Sequence, residues 1–130
     1  MRVRRALVSG TAVLMMAAGY GSGQSAGRFK ELQRHEIPGT GMEGVTTVVE
    51  IPPGGVSARH SHPGEDFGYL IEGTIVLQVD GKAPVTLRAG DVFITERGRI
   101  HNARNIGHTV ARAVDTYVID KGRPGVIPAP

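Results

Sequence analysis

Five histidines, His35, His60, His62, His101 and His108, stand in a chain of 130 residues that has no cysteine. Without thiols, disulfides, thiolate metal sites, iron–sulfur clusters and cysteine nucleophiles are excluded. His60-Ser61-His62 is the spacing with chemistry in it. On a β-strand, side chains alternate between faces, so residues two apart point the same way. Two convergent imidazoles are the start of a site for a first-row metal. The same pair would also suit two polar residues facing solvent, so the surrounding elements have to decide. No Ser/His/Asp set and no Gly-rich phosphate loop is visible.

Nineteen glycines and eight prolines are spread among short apolar runs, a distribution that suits turns between strands. Residues 45–51 are rich in β-branched side chains and stop at Pro52-Pro53-Gly54-Gly55. Residues 56–62 alternate weakly and end at Pro63-Gly64; residues 67–72 and 74–80 are strand-like runs divided by Gly73. In the second of these, Ile75, Leu77 and Val79 share one face. Asp80-Gly81 predicts a hairpin with a type I′ turn, since both residues tolerate positive φ. Further strands are expected over 85–88, 92–95, 100–105 and 110–119, and no helix over 27–130. Seven or eight short strands in so little chain predict an all-β fold, a small antiparallel β-barrel or sandwich. Residues 27–44 form a lead-in with room for one strand, 45–120 the barrel, and 121–130 a tail without periodic pattern.

The wider spacing then bears on the histidines. Gly54-x5-His60-x-His62-x3-Asp66-x6-Gly73 is followed by Gly90-x5-Glu96-x-Gly98-x2-His101-x3-Asn105. This resembles the paired signature of the cupin family over residues 54–105, with every glycine, three histidines and the asparagine in register. The resemblance implies a double-stranded β-helix, or jelly roll, with the metal inside the barrel, often as a homodimer. It implies His60, His62 and His101 as ligands of one divalent transition metal, iron, manganese, nickel, copper or zinc. Cupins include dioxygenases, isomerases, decarboxylases and plain binding proteins, so the fold alone does not supply the function.

Two positions depart from the pattern. The family's glutamate is Asp66, and its proline is Glu96. An aspartate carboxylate falls roughly 1.5 Å short of a glutamate's, whereas metal–ligand distances tolerate about 0.2 Å. Asp66 therefore needs a shifted Pro63-Gly64 turn or a bridging water. Glu65 is the alternative carboxylate, long enough but one residue out of phase, and three histidines without a carboxylate form a third arrangement. Glu96 is expected to pair with Arg97 or Arg99. His35, His108 and Arg59 are expected on the surface, Asn105 in a turn, and Phe67, Tyr69, Phe93 and Tyr117 in the core or pocket wall.

Net charge is +3, but Arg2, Arg4 and Arg5 carry it: residues 27–130 hold 12 basic and 12 acidic residues. The remaining cations are scattered, without a stripe for phosphates, so nucleic acid is not an expected partner. Residues 1–26 read as a signal peptide: a positive start, an apolar run over 6–18, then small residues. A run of thirteen residues falls short of the roughly 20 needed to cross a bilayer, so no stable membrane anchor is expected. The protein is expected to be periplasmic or secreted. Two functions follow: a metal-dependent, dioxygenase-like oxidoreductase acting on a small organic molecule, or a non-catalytic barrel binding a metal or small ligand.

Overall fold

The structure, a computed structural model, describes residues 26–130. The expected signal peptide lies outside the described residues except for Ala26, which makes a parallel bridge to Val56. Ten strands and no helix make up the described chain. They are β1 Arg28–Ile37, β2 Met42–Ile51, β3 His60–Ser61, β4 Gly64–Glu72, β5 Thr74–Val79, β6 Val85–Arg88, β7 Val92–Thr95, β8 His101–Asn105, β9 Ala111–Asp120 and β10 Ile127–Pro128. Two five-stranded sheets, ordered β1-β2-β9-β4-β7 and β10-β3-β8-β5-β6, face each other with every strand pair antiparallel. This is the all-β double-stranded barrel.

Alternation fills the barrel. Along β9, Ala111, Ala113, Asp115, Tyr117 and Ile119 are buried while the residues between them are half-buried. Register then stacks the inward side chains in rows across the first sheet. Val45, Tyr117, Asp66 and Thr95 form one row, and Thr47, Asp115, Gly68 and Phe93 the next. Val49, Ala113 and Leu70 form a third. The opposite sheet supplies Ile75, Leu77 and Leu87 to an apolar cluster at one end of the barrel. A smaller apolar cluster of Val45, Tyr117 and Ile119 lies towards the other, and buried polar side chains stand between. Leu70, at 1% exposure, is the centre of the larger cluster.

Gly68 is required by packing. A Cβ there would run into the Phe93 ring, which lies over the bare backbone of β4. Where the Asp80-Gly81 turn was expected to be type I′, the structure has a different one. Lys82 N–H bonds the Val79 carbonyl at 3.0 Å, Gly81 has φ +80°, and no non-glycine residue among those described has positive φ. That is a type II geometry, which needs glycine only at the third position and leaves Asp80 unstrained.

Other expectations shift as well. The lead-in carries one strand, β1, and β2 already begins at Met42. Only His60–Ser61 of the expected 56–62 strand is paired as strand, with Val56 held by isolated bridges. The tail carries β10, which pairs Ile127 with Ser61 and Pro128 with His60. Backbone pairing of two residues needs no periodicity, so the sequence leaves no trace of it. Phe67 and Tyr69 are not core or pocket wall: they are about half exposed, because the phase that turns Asp66, Gly68 and Leu70 inward turns them out.

Candidate metal centre

Two strands deliver the histidines. β3 and β8 pair with His60 directly opposite His101, and His62 follows two residues along from His60. All three are buried, at 5%, 1% and 3% exposure for His60, His62 and His101. The His60 and His62 rings meet edge-on with centroids 4.9 Å apart, and His101 lies tilted against both, 4.3 Å from His60 and 5.0 Å from His62. Tyr117 stacks on His62 at 4.1 Å, and Phe29 from β1 meets the ring of His60 edge-on.

Each imidazole is held by a main-chain carbonyl. His60 Nδ1–H donates to Ala58 O at 2.7 Å, His62 Nδ1–H to Gly125 O at 2.7 Å, and His101 Nδ1–H to Arg99 O at 2.9 Å. A carbonyl only accepts, so Nδ1 carries the proton in all three rings and Nε2 keeps its lone pair. Burial lowers all three pKa values, to about 3 for His62 and about 4 for His101, so the rings are neutral at ordinary pH. The ligand nitrogens of the three lie within 4.8 Å of one another, and His62 Nε2 is buried with no hydrogen-bond partner. Neutral, tautomer-locked nitrogens with one orphaned lone pair are the donor set a divalent transition metal requires. The residues present fit one such ion.

The carboxylate candidates separate cleanly. Asp66 points into the barrel, 1% exposed, with Oδ2 3.6 Å from His62 Nε2 and Oδ1 without a partner. It stands beside His62 and outside the mutual cluster of the three histidines, as its missing methylene leads one to expect. Glu65 faces the other way and accepts a hydrogen bond from Arg97 N–H at 3.3 Å. Burial, and then the neighbouring Asp115, raises the Asp66 pKa to about 9, while burial raises Asp115 to about 7.

Asp115 is the residue the motif does not reveal. Its signal is a lone acid in the inward phase of β9, between Ala113 and Tyr117. Asn105 is a turn residue: its side-chain amide donates to Ile51 O and Thr109 O and accepts from Gly107 N–H. Glu96 pairs with Lys82 and Arg99, whereas Arg97 bonds Asp120. Arg59 pairs with Asp80 at the surface, and His35 and His108 are exposed.

His60, Asp66, His101, Phe93 and Asp115 face one cavity whose inner end is apolar. About 40 Å³ of it is open to the centres of water molecules. A single water needs roughly 10–15 Å³ on that measure, so the space suits a ligand of few heavy atoms.

A double-stranded antiparallel barrel with three carbonyl-anchored imidazoles converging inside it defines a class: a metal-binding β-barrel. Residues 47–117 match the Cupin domain family, and the chain belongs to that family. Among curated proteins, it is 30% identical over 122 residues to oxalate oxidase 1 of Hordeum vulgare, a match spanning 87% of this chain and 60% of the relative. The chain thus spans little more than half the length of the curated oxalate oxidases it matches. Among solved structures it superposes on an oxalate oxidase in complex with the substrate analogue glycolate, with TM-score 0.64, 27% identity, and coverage of 79% of this chain and 55% of that one. A conserved double-stranded β-helix protein from Klebsiella pneumoniae covers 84% of this chain and 89% of its own length, with TM-score 0.65. At 22% identity, that likeness speaks for the fold alone.

Proposed function

We propose that the chain is an exported, metal-dependent cupin oxidoreductase that acts on a small organic molecule. His60, His62 and His101 hold one divalent transition metal, and Asp66 is the carboxylate at its side. The observation that carries this reading is the set of three Nδ1–H···O=C bonds, which present three neutral Nε2 lone pairs to one buried space. When bound, such an ion supplies a Lewis-acid and redox-capable centre.

The chain's own residues do the rest. The carbonyls of Ala58, Arg99 and Gly125 fix the three rings. Asp66, with one oxygen unpartnered, is placed to hydrogen-bond a group bound beside His62. The apolar floor around Leu70, Ile75 and Leu77 keeps water from the inner end. Likeness to oxalate oxidases supports redox chemistry on a small substrate. Arg2, Arg4 and Arg5 ahead of the apolar run support export.

A second reading is a non-catalytic binding barrel, favoured by the bond from His62 to Gly125. That bond ties the tail to the centre, so the ion would help to close the fold.

The deciding experiment is metal content by mass spectrometry on untagged protein, beside a His60→Ala/His62→Ala variant. About one equivalent of a transition metal, lost in the variant, is expected. Wild-type protein that stays metal-free after reconstitution would overturn the site. Oxygen uptake by the loaded protein with small oxygenated substrates then separates enzyme from binder.

A further inference from the structure

Asp115 is 7% exposed, faces the cavity and has Oδ1 without a hydrogen-bond partner. It lies one inward step along β9 from Tyr117, whose ring stacks on His62, and so between the histidines and the apolar floor. Asp66 stands in the neighbouring row, directly opposite Tyr117. Two more groups in those rows, Tyr117 OH and Thr95 Oγ1, are buried at 1% exposure and also lack partners. Of these, Asp66 and Asp115 line the cavity, and each keeps a carboxylate oxygen that the fold does not satisfy.

The rest of the lining says what could satisfy it. Among the described residues that line the cavity there is no lysine, arginine, asparagine or glutamine. No cationic side chain among the described residues lines the cavity near Asp115 to neutralise a dianion pushed past the histidines, and an ionised Asp115 would repel it. A hydrated inorganic cation fits poorly, because it wants six or more oxygen ligands and the walls here are Val49, Leu70, Phe93 and Ala113. An organic ammonium group fits better. Its N–H donors match the orphaned oxygens, and its carbon skeleton matches the apolar wall. The Phe93 ring, in the row of Asp115 and over Gly68, adds an aromatic neighbour of the kind that attracts such cations.

We propose that Asp115 is a specificity-determining residue that makes the inner end of the metal cavity a subsite for a small amine-bearing ligand, excluding dicarboxylate dianions. This rests on the metal reading only for what binds the ligand's other end, an oxygen donor facing the histidines. On this reading the chain shares the fold of the oxalate oxidases to which it is similar but takes a ligand of different charge.

The test measures binding to purified, metal-reconstituted full chain by calorimetry at about pH 8, above the value of about 7 to which burial raises Asp115. The probes are ethanolamine, ethylene glycol as its neutral counterpart of similar size, and oxalate, with metal content determined on the same samples. Wild-type protein is expected to prefer ethanolamine to ethylene glycol by about tenfold or more, the scale of one added charge-assisted hydrogen bond. Oxalate is expected to bind more weakly than ethanolamine, because its inner carboxylate would face Asp115. Asp115→Asn should erase the ethanolamine preference and strengthen oxalate about tenfold. Should that variant fail to fold, the wild-type ranking still decides. Oxalate binding at least as tightly as ethanolamine, or an ethanolamine preference that survives Asp115→Asn, overturns the subsite. A metal-free wild-type protein that keeps the preference upholds the subsite while overturning the metal reading. One equivalent of metal without the preference overturns the subsite alone.

Discussion

At the scale of single residues, the centre is governed by where protons sit. Burial drives His62 to about 3 and His101 to about 4 and lowers His60, whereas an unperturbed imidazole titrates near 6.5. From sequence alone, metal affinity would be expected to fall below about pH 6.5. Desolvation moves the histidine part of that fall down towards pH 4. Asp66 works in the opposite direction: burial and then Asp115 lift it to about 9, so an ion binding beside it must displace a proton over the neutral range. Metal affinity by chelator competition is therefore expected to rise between about pH 7 and 9, and to flatten in Asp66→Asn. The metal-free fold has its own dependence. The lowered histidines give stability that is present above 6.5 and lost as pH falls through 4 and 3. The raised carboxylates give stability that is present below their ordinary value near 3.8 and lost as pH rises through about 7 and 9. Between about 6.5 and 9 only the carboxylates still titrate, so metal-free protein should melt at a lower temperature at pH 9 than at 6.5. A melting temperature that climbs over that window would contradict the buried-carboxylate account.

At the scale of elements, two contacts position the site from a distance. Gly68 lets the Phe93 ring lie flat against β4, and Gly68→Ala would drive that ring off its seat. Overpacking of this sort costs about 1–3 kcal/mol, a fall of several degrees in melting temperature for a domain of this size. Because the cost arises from one contact, it should shrink in a Phe93→Leu background, which a double-mutant cycle reads directly. The second contact is the tail. Gly125 O orients His62, and β10 pairs with β3 on the far side of His60. Removing residues 125–130 deletes a carbonyl that fixes a ligand's tautomer, a loss that typically weakens metal affinity by about 10–100-fold. Unchanged affinity in the truncated protein would mean that the tail only decorates the barrel.

For the whole molecule, the outer surface is as informative as the interior. β7 is the edge of its sheet, and Val92 and Ile94 on it lie opposite Tyr69 and Phe67 on β4, all about half exposed or more. A contiguous apolar face beside an unpaired strand edge is a surface that soluble proteins normally cover. A homodimer through this face is the arrangement we expect. Light scattering should then give twice the chain mass for the wild type and the chain mass for Val92→Lys/Ile94→Lys, with the fold intact by circular dichroism. A monomeric wild type at micromolar concentration would refute it.

Much of this was legible from the order of residues alone. The run from Gly54 to Asn105 carried the barrel and put His60 and His62 on one face, because strand alternation is local and glycine spacing marks turns. That His101 joins them was implied by the resemblance to cupins. Alternation also told Asp66 from Glu65, since neighbours on a strand must face opposite sides. What the order of residues could not reveal depends on which strands become neighbours. Asp115 comes into the cavity, opposite Gly68 and one row from Asp66, only through the register of β9 with β4. Gly125 reaches His62 across 63 residues of chain by a backbone carbonyl, a group every residue has and no motif distinguishes. Phe67 and Tyr69, apolar and motif-adjacent, turned outward because the inward phase of β4 was already taken by Asp66, Gly68 and Leu70. Local periodicity determined most of the strands and the shared face of His60 and His62. Long-range register decided which side chains surround the histidines, because it sets which strands lie opposite one another.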